Sequence, residues 1–595
     1  MPRLHFDQKF CEMRNKPPRL NKGARLALVL GLIAVGAGAV VWIWGLQKPS
    51  PGPVTFNKHI APIVFAHCAS CHRPGEAAPF SLLTYADVYK RAKQILEVTQ
   101  SGYMPPWLPE AGHGEFVGER RLSPKEMALI TRWSAEGAVE GAASDLPPAP
   151  TWTEGWQLGK PDLVVEMAQA YTLPAEGKDV YRNFIIPIPV RGKKYVRALE
   201  FQPGNRRIVH HAFMLIDPTR RSRKLDEQDL EPGFPGLHTP SSAQAPAGQF
   251  LSWQPGKVAS KVTEGLAWPL EQGSDLIVQA HLQPSGKPET FQPSVGFYFT
   301  DQTPTNTPFK IGLMSYHIDI PAGATDYVLK DEYVLSADVD LLGVLPHAHY
   351  LGKQLQAWAT LPGGKKQWLF LIKEWDFNWQ GDYQYARPMF FPKGTVIAMH
   401  YTYDNSADNA RNPNHPPRRV GYGVQSTDEM GELWLQVLPR DTNGWAILAR
   451  DYQPRVIRDA IAYNEYLLRA RPDDPGAHRE LGKALLFQGK LEEALQHLGT
   501  AAQAQADDET HYYLGLLYRM RKDLSKSRAE FEMALRLNPD HGKAHGNLGL
   551  VCLQQGELDR AEAHLTAALR INPEDAVARE GLEAIAKVRA SLPKN

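Results

Sequence analysis

The sequence predicts a multidomain chain: an N-terminal transmembrane helix, a small all-α domain, two antiparallel β-sandwiches and a C-terminal α-solenoid. Three observations carry that expectation: an uncharged apolar run over residues 26–46, two proline-rich joints beyond it, and a period of 33 to 34 residues towards the C-terminus. The boundaries read from them are 1–50 for a tail and anchor, 51–150 for the all-α domain, 151–305 and 306–455 for the sandwiches, and 456–595 for the repeats. A chain of 595 residues is too long for one core. A net charge of +1, with no basic cluster beyond the N-terminal tail, argues against a nucleic-acid partner.

Leu26 to Leu46 span 21 residues, enough for a helix to cross a bilayer. Arg3, Lys9, Arg14, Lys16, Arg19, Lys22 and Arg25 precede them, against Asp7 and Glu12. That excess of basic residues keeps the N-terminus cytoplasmic and exports the chain beyond Gln47. A cleaved signal peptide is the competing reading. Its apolar stretch is usually shorter, and the Ala37-Gly38-Ala39 pattern falls mid-run, so an uncleaved anchor is expected.

The joints Lys48-Pro49-Ser50-Pro51-Gly52-Pro53 and Asp145-Leu146-Pro147-Pro148-Ala149-Pro150 bound the next segment. It contains Cys68-Ala69-Ser70-Cys71-His72. Two thiols three positions apart can add to the two vinyl groups of one haem, and the adjacent imidazole then reaches its iron. The chain has four cysteines and no second pair at this spacing, so a zinc site is disfavoured. A thioredoxin-like redox pair has no need of His72. Short helical patterns surround the motif, closing with Ser123-Pro124-Lys125-Glu126 and a stripe through Met127, Ile130 and Trp133. The segment looks like a small cytochrome c. For the sixth iron ligand Met104 is favoured, because Gly102-Tyr103-Met104-Pro105-Pro106-Trp107 is a rigid loop; Met127 and His113 are the alternatives. Covalent haem attachment is expected on the exported side of a bacterial membrane, so the chain is expected as a single-pass inner-membrane protein with periplasmic domains. With Cys68 and Cys71 committed to haem and Cys552 alone, those domains are expected to fold without disulfides.

At the other end, Leu481-Gly482, Leu514-Gly515 and Leu548-Gly549 recur, as do Asn538-Pro539 and Asn572-Pro573. Ala494, Ala529 and Ala561 mark the second helices of each unit. This resembles the tetratricopeptide repeat, which implies helical hairpins that stack and hold a protein or peptide partner. An architectural spacer is the alternative. His478, His497, His511, His541, His545 and His564 are read as solvated rather than ligating.

Between these regions, short runs rich in Val, Ile, Phe and Tyr alternate with Pro and Gly, as in Tyr181-Arg182-Asn183-Phe184-Ile185-Ile186-Pro187. That texture reads as antiparallel sandwich. Histidines gather at His210-His211, at His281 and at His347-Ala348-His349. In a strand, positions i and i+2 share a face, so His347 and His349 can hold one ion. His210 and His211 point to opposite faces unless a bulge or strand end intervenes.

The pattern resembles the type II copper monooxygenases, the family of peptidylglycine and dopamine β-monooxygenases, over roughly residues 180 to 440. Val209-His210-His211, Val278-Gln279-Ala280-His281, His347-Ala348-His349-Tyr350-Leu351-Gly352 and Asp428-Glu429-Met430 match its motifs in order. Tyr401-Thr402-Tyr403-Asp404-Asn405 is similar to a structural segment of the family. The resemblance implies two copper ions: an electron-storing one on His210, His211 and His281, and an oxygen-site one on His347, His349 and Met430. It implies hydroxylation of a substrate C–H bond by dioxygen, with no catalytic side chain beyond the oxygen-site ligands. Imidazoles suit both copper oxidation states, while a thioether favours the reduced ion. Met314 and Met399 are rivals to Met430, but lie in apolar runs and read as core.

Two departures stand out. The arginine that the amidating branch places two residues before its HxH is Leu345 here, which disfavours amidation of C-terminal glycine. The disulfides of the animal enzymes have no counterpart. The fused haem segment is expected to pass on electrons from an external donor to the copper held by His210, His211 and His281, for a small organic substrate and O2. A non-enzymatic electron carrier or copper-handling scaffold is the alternative function. Zinc in place of copper is a third reading, against which the thioether speaks.

Overall fold

The computed structural model describes residues 52–591, apart from 77, 153–154, 237–238, 240–241 and 258–264. The apolar run 26–46 lies outside the described residues; among those described, no helix is long and apolar enough to cross a membrane. The chain divides into two compact units.

In one unit, described residues up to Ile63 associate with 124–147. Its centre is Trp133, fully buried on the helix Pro124–Ala135. The indole packs 6.2 Å from Phe56 and donates to Val139 O at 3.0 Å. Asn57 Nδ2 donates to Gly141 O and Ala142 O, which fixes the returning chain. Met127 is half-buried on the same helix.

The other unit holds residues 64–123 and everything from 148 onward. Its first sandwich has a five-stranded antiparallel sheet in the order Phe234–Pro235, β1 (Val180–Pro187), β3 (Asp275–Leu282), β2 (Val209–Asp217), Ser252–Trp253. A four-stranded sheet of Leu163–Glu166, Ser294–Thr300, Lys194–Gln202 and Trp268–Leu270 accompanies it. Phe184, Leu276, Val278, Phe291 and Phe297 form the core. β3 is buried along nearly its whole length, which explains why its sequence is a continuous apolar run.

The second sandwich repeats the plan with β4 (Phe309–Met314), β6 (Gly431–Pro439), β5 (Val339–Ala348) and Tyr383–Phe391 in one sheet. Tyr327–Val334, Val396–Tyr403, Gly352–Thr360 and Lys366–Ile372 form the other. Met399 is wholly buried in its core, and Met314 Sδ accepts from Tyr316 Oη at 3.3 Å. Residues 110–117, within the segment 51–150, pair with this sandwich. Glu110 N donates to Leu371 O at 2.7 Å, Val117 N to Gln384 O at 2.9 Å, and Phe116 is buried against Tyr383 and Tyr385.

The 27-residue helix Gly444–Ala470 leaves the second sandwich, anchored by Tyr452, whose hydroxyl bonds the backbone of Gly312 on β4. Seven shorter helices follow, from Pro475–Gln488 to Ala576–Ser591, among the described residues. The recurring glycines mark close helix crossings. A Cβ at Gly482, Gly515 or Gly549 would meet Leu498, Phe531 or Leu565 within 2.7 Å. The histidines here are paired rather than freely solvated. Nδ1 of His478 lies 2.8 Å from that of His497, His545 and His564 are 3.0 Å apart, and His511 bonds Glu530 at 2.7 Å. Each pair faces across one hairpin at a sequence separation of 19. His541 is buried, its ring capping the following helix by accepting from Ala544 N.

Candidate metal and haem centres

The first histidine set sits on the two innermost strands of its sheet. β2 pairs with β3 so that His211 faces His281, and the register slips between Val209 and His211. His210 is therefore the extra residue of a β-bulge, the distortion that lets adjacent histidines turn the same way. Nδ1 of His210 lies 3.1 Å from Nδ1 of His211. His281 donates through Nε2 to Asp179 Oδ2 at 2.7 Å, and its Nδ1 is buried without a partner. Ligand nitrogens of all three lie within 4.8 Å of one another, the sole such triad of His, Cys or acid among the described residues. Tyr181 stacks on His281 at 4.2 Å. Burial, then the neighbouring imidazoles, pushes His210 down to about 4 and His211 well below the usual range. Both rings are thus neutral at physiological pH. Burial opposes ionisation of Asp179, but the hydrogen bond from His281 holds it below the usual carboxylate range. A carboxylate that orients an imidazole through its remote nitrogen is what a metal-binding histidine requires.

The second set ends β5. His347 faces Glu432 across the ladder, and the next register step brings His349 beside Met430, just before β6. Nδ1 of His347 donates to Gln380 Oε1 at 2.6 Å, and Nδ1 of His349 to Asp428 O at 3.2 Å. Both rings therefore offer Nε2 outward. Their centroids are 5.1 Å apart. Burial, then His347, pushes His349 down to about 3. Glu429 staples the two strand ends: its carboxylate accepts from the amides of His349, Met430 and Leu351. His347, His349 and Met430 line a cleft of about 450 Å³ together with His211. No third imidazole, thiol or carboxylate completes this set among the described residues; Met430 lines the same cleft.

One short turn, Phe377–Trp379, touches both sets. The Phe377 ring is 5.7 Å from His210, 6.5 Å from His281, 6.5 Å from His347 and 5.5 Å from His349. Trp375 Nε1 donates to His349 O, and Gln380 closes the turn on His347. Asp376 caps it by accepting from Asn378 N. Sequence reading missed this segment and Asp179. The dense Trp375-Asp376-Phe377-Asn378-Trp379-Gln380 run, in a connection between strands, was the available signal; Asp179 left none.

The cysteine motif forms a tight turn, with the amides of Cys71 and His72 both donating to Cys68 O. His72 bonds Phe80 O through Nδ1 at 3.2 Å, which leaves Nε2 as the atom that could reach a haem iron. Cys71 Sγ lies 3.1 Å from the Cβ position of Gly256 in the first sandwich. Glu76 bridges Arg73 and Arg206 at 2.6 and 2.5 Å. Met104 is half-buried, its amide held by Val98 O, and it takes no part in the bonds of the cysteine turn. The neighbouring Tyr103 ring meets Trp379 edge-on at 6.2 Å. His113 packs on Trp368 and bonds Ala111 O. The donor sets fit their groups: two thiols and an imidazole with a free Nε2 for haem, three nitrogens about a buried unpartnered Nδ1 for one copper, two imidazoles and a thioether for another.

Comparison with known proteins bears on the C-terminus. Residues 455–510, 480–541 and 512–576 match the tetratricopeptide repeat family. No curated protein sequence matches the chain. Among solved structures, MamA is 22% identical over 24% of this chain and 83% of its own, with a TM-score of 0.22. The first repeat domain of human RPAP3 is 21% identical over 20% of this chain and 95% of its own, with a TM-score of 0.20. The Arabidopsis OM64 repeat domain is 15% identical over 19% and 95%, with a TM-score of 0.19. From about residue 455 onward, the chain is a tetratricopeptide repeat array.

Proposed function

We propose that this chain is a copper-dependent monooxygenase that hydroxylates a C–H bond of an organic substrate with dioxygen. In this reading it is anchored in a bacterial inner membrane, with its catalytic domains periplasmic and electrons entering through a fused c-type haem. What supports it is the triad His210, His211 and His281, with ligand nitrogens within 4.8 Å of one another, and the pair His347 and His349, with ring centroids 5.1 Å apart in a cleft that Met430 also lines. Cys68, Cys71 and His72 would hold the haem, with Met104 as sixth ligand. His210, His211 and His281 would hold one copper ion, and His347, His349 and Met430 the other. Bound there, these groups supply one-electron transfer and dioxygen activation. The chain's own residues do the rest. Asp179, Gln380 and Asp428 O fix the ring orientations. Phe377 places an apolar ring beside imidazoles of both sets. The cleft walls shield the reacting carbon. The repeats offer a surface for a protein or peptide partner.

The test is mass spectrometry of metabolite extracts incubated with the intact chain under heavy dioxygen, beside Met430→Ala. A product carrying one heavy oxygen atom is expected from the intact chain alone. Its absence from a protein loaded with copper and haem would leave an electron carrier or copper-handling scaffold as the better description.

A further inference from the structure

We infer that the cleft selects substrates bearing a carboxylate, which Lys310 receives, on an apolar body directed towards His347 and His349. The inference rests on the oxygenase reading for its chemistry, but on the cleft alone for its binding. In the sheet β4–β6–β5, Lys310 pairs with Gln436, Gly312 with Trp434 and Met314 with Glu432. Trp434 in turn pairs with Leu345, and Glu432 with His347. Alternate residues share a face, so Lys310, Trp434, Leu345 and His347 all stand on the side that floors the cleft.

Lys310 is half-buried, its Nζ 5.8 Å from the centroid of the Trp434 ring. Among the described residues none forms an ion pair or hydrogen bond with it, and burial holds its pKa below the usual lysine range. Of the two carboxylates that line the cleft, only Asp382 is paired with a cation among the described residues. Asp382 accepts from Lys257 Nζ and Ser252 Oγ at 2.5 and 2.6 Å, and Glu432 accepts from Trp434 Nε1 at 3.0 Å. A cation withdrawn from water without a counter-charge is costly, and an anionic ligand relieves that cost. The remaining walls mix apolar and aromatic side chains, including Phe213, Phe250, Trp253 and Leu345, with the amides of Gln249, Gln254, Gln279 and Gln380. Four residues along the strands and two strands across separate Lys310 from His347, about 16 Å between Cα positions. Strand side chains stand roughly perpendicular to the sheet, so their tips keep a comparable separation, which leaves room for several carbon atoms between the acid and the reacting carbon.

The experiment is calorimetric titration of the full, metal-loaded chain, without dioxygen, with ω-phenylalkanoates of increasing chain length and with the matching amides. The acids should bind at least about tenfold more tightly than the amides, as a charge-assisted contact implies. Lys310→Met should erase that preference and Lys310→Arg should keep it. Equal affinity for acid and amide, a preference that survives Lys310→Met, or no binding of any acid at millimolar concentration would each overturn the inference. Binding needs no turnover. A protein that prefers acids yet yields no labelled product would fail as an oxygenase without losing this site.

Discussion

His210, His211 and His281 stand within a sheet, packed under Tyr181 and Phe377, whereas His347, His349 and Met430 end a strand and open onto a cleft. The first set offers nitrogens only, and one ring is braced by a carboxylate. The second pairs nitrogen with sulfur and is braced by an amide and a backbone carbonyl. The difference teaches that a bulge and an alternating strand are two routes from sequence to a common ion. His211 lines the same cleft as His347 and His349, so the sets differ in their ligand atoms and bracing rather than in access.

The sharpest way to break this comparison is to remove one ring from each set. His281→Ala and His347→Ala should each lower bound copper from two ions per chain to one, by elemental analysis. The affinity lost should exceed the roughly 10- to 100-fold that removal of an orienting partner costs. A variant that lost both ions would mean that the sets form one cooperative centre, and the contrast between them would go.

A smaller effect tests the bracing. Asp179→Asn should weaken copper in the first set about 10- to 100-fold, measured by competition with a coloured chelator. Gln380→Leu should weaken the second set less, because a neutral acceptor holds a ring about half as strongly as a charged one. Equal losses would show that the carboxylate adds no more than geometry.

Much of this was legible in the chain, for physical reasons. The glycines at 482, 515 and 549 betray the repeats because only a residue without Cβ fits those helix crossings. The HxH pair could be placed on one face by strand period alone, and the HH pair was seen to need a distortion, which is the bulge at His210. What the sequence hid was long-range. Asp179 meets His281 across 102 positions, and Phe377 meets rings from both sandwiches; neither carries a local signature. The pairing of residues 110–117 with the second sandwich was hidden for the same reason, since Glu115-Phe116-Val117 is too short to read as a strand. The repeat histidines were misread because a hairpin brings together rings that helical periodicity alone leaves apart.

The smallest effect concerns protons, and it distinguishes the sets by count. Without a bound metal, burial pushes folded His210 down to about 4 and His349 down to about 3, with His211 also depressed. Unfolded imidazoles titrate near 6.5. Between those values the unfolded chain binds protons that the folded one refuses. Stability from these rings is therefore complete above about pH 6.5 and is lost as pH falls towards 4, by on the order of 1 kcal/mol per ring per pH unit. His210 and His211 belong to the first set and His349 to the second. His210→Gln with His211→Gln should flatten the acid limb of the denaturant-unfolding free energy about twice as much as His349→Gln does. If the second set flattened it as much, His349 would be as proton-averse as the two rings of the first set together, and burial would no longer separate the two sites.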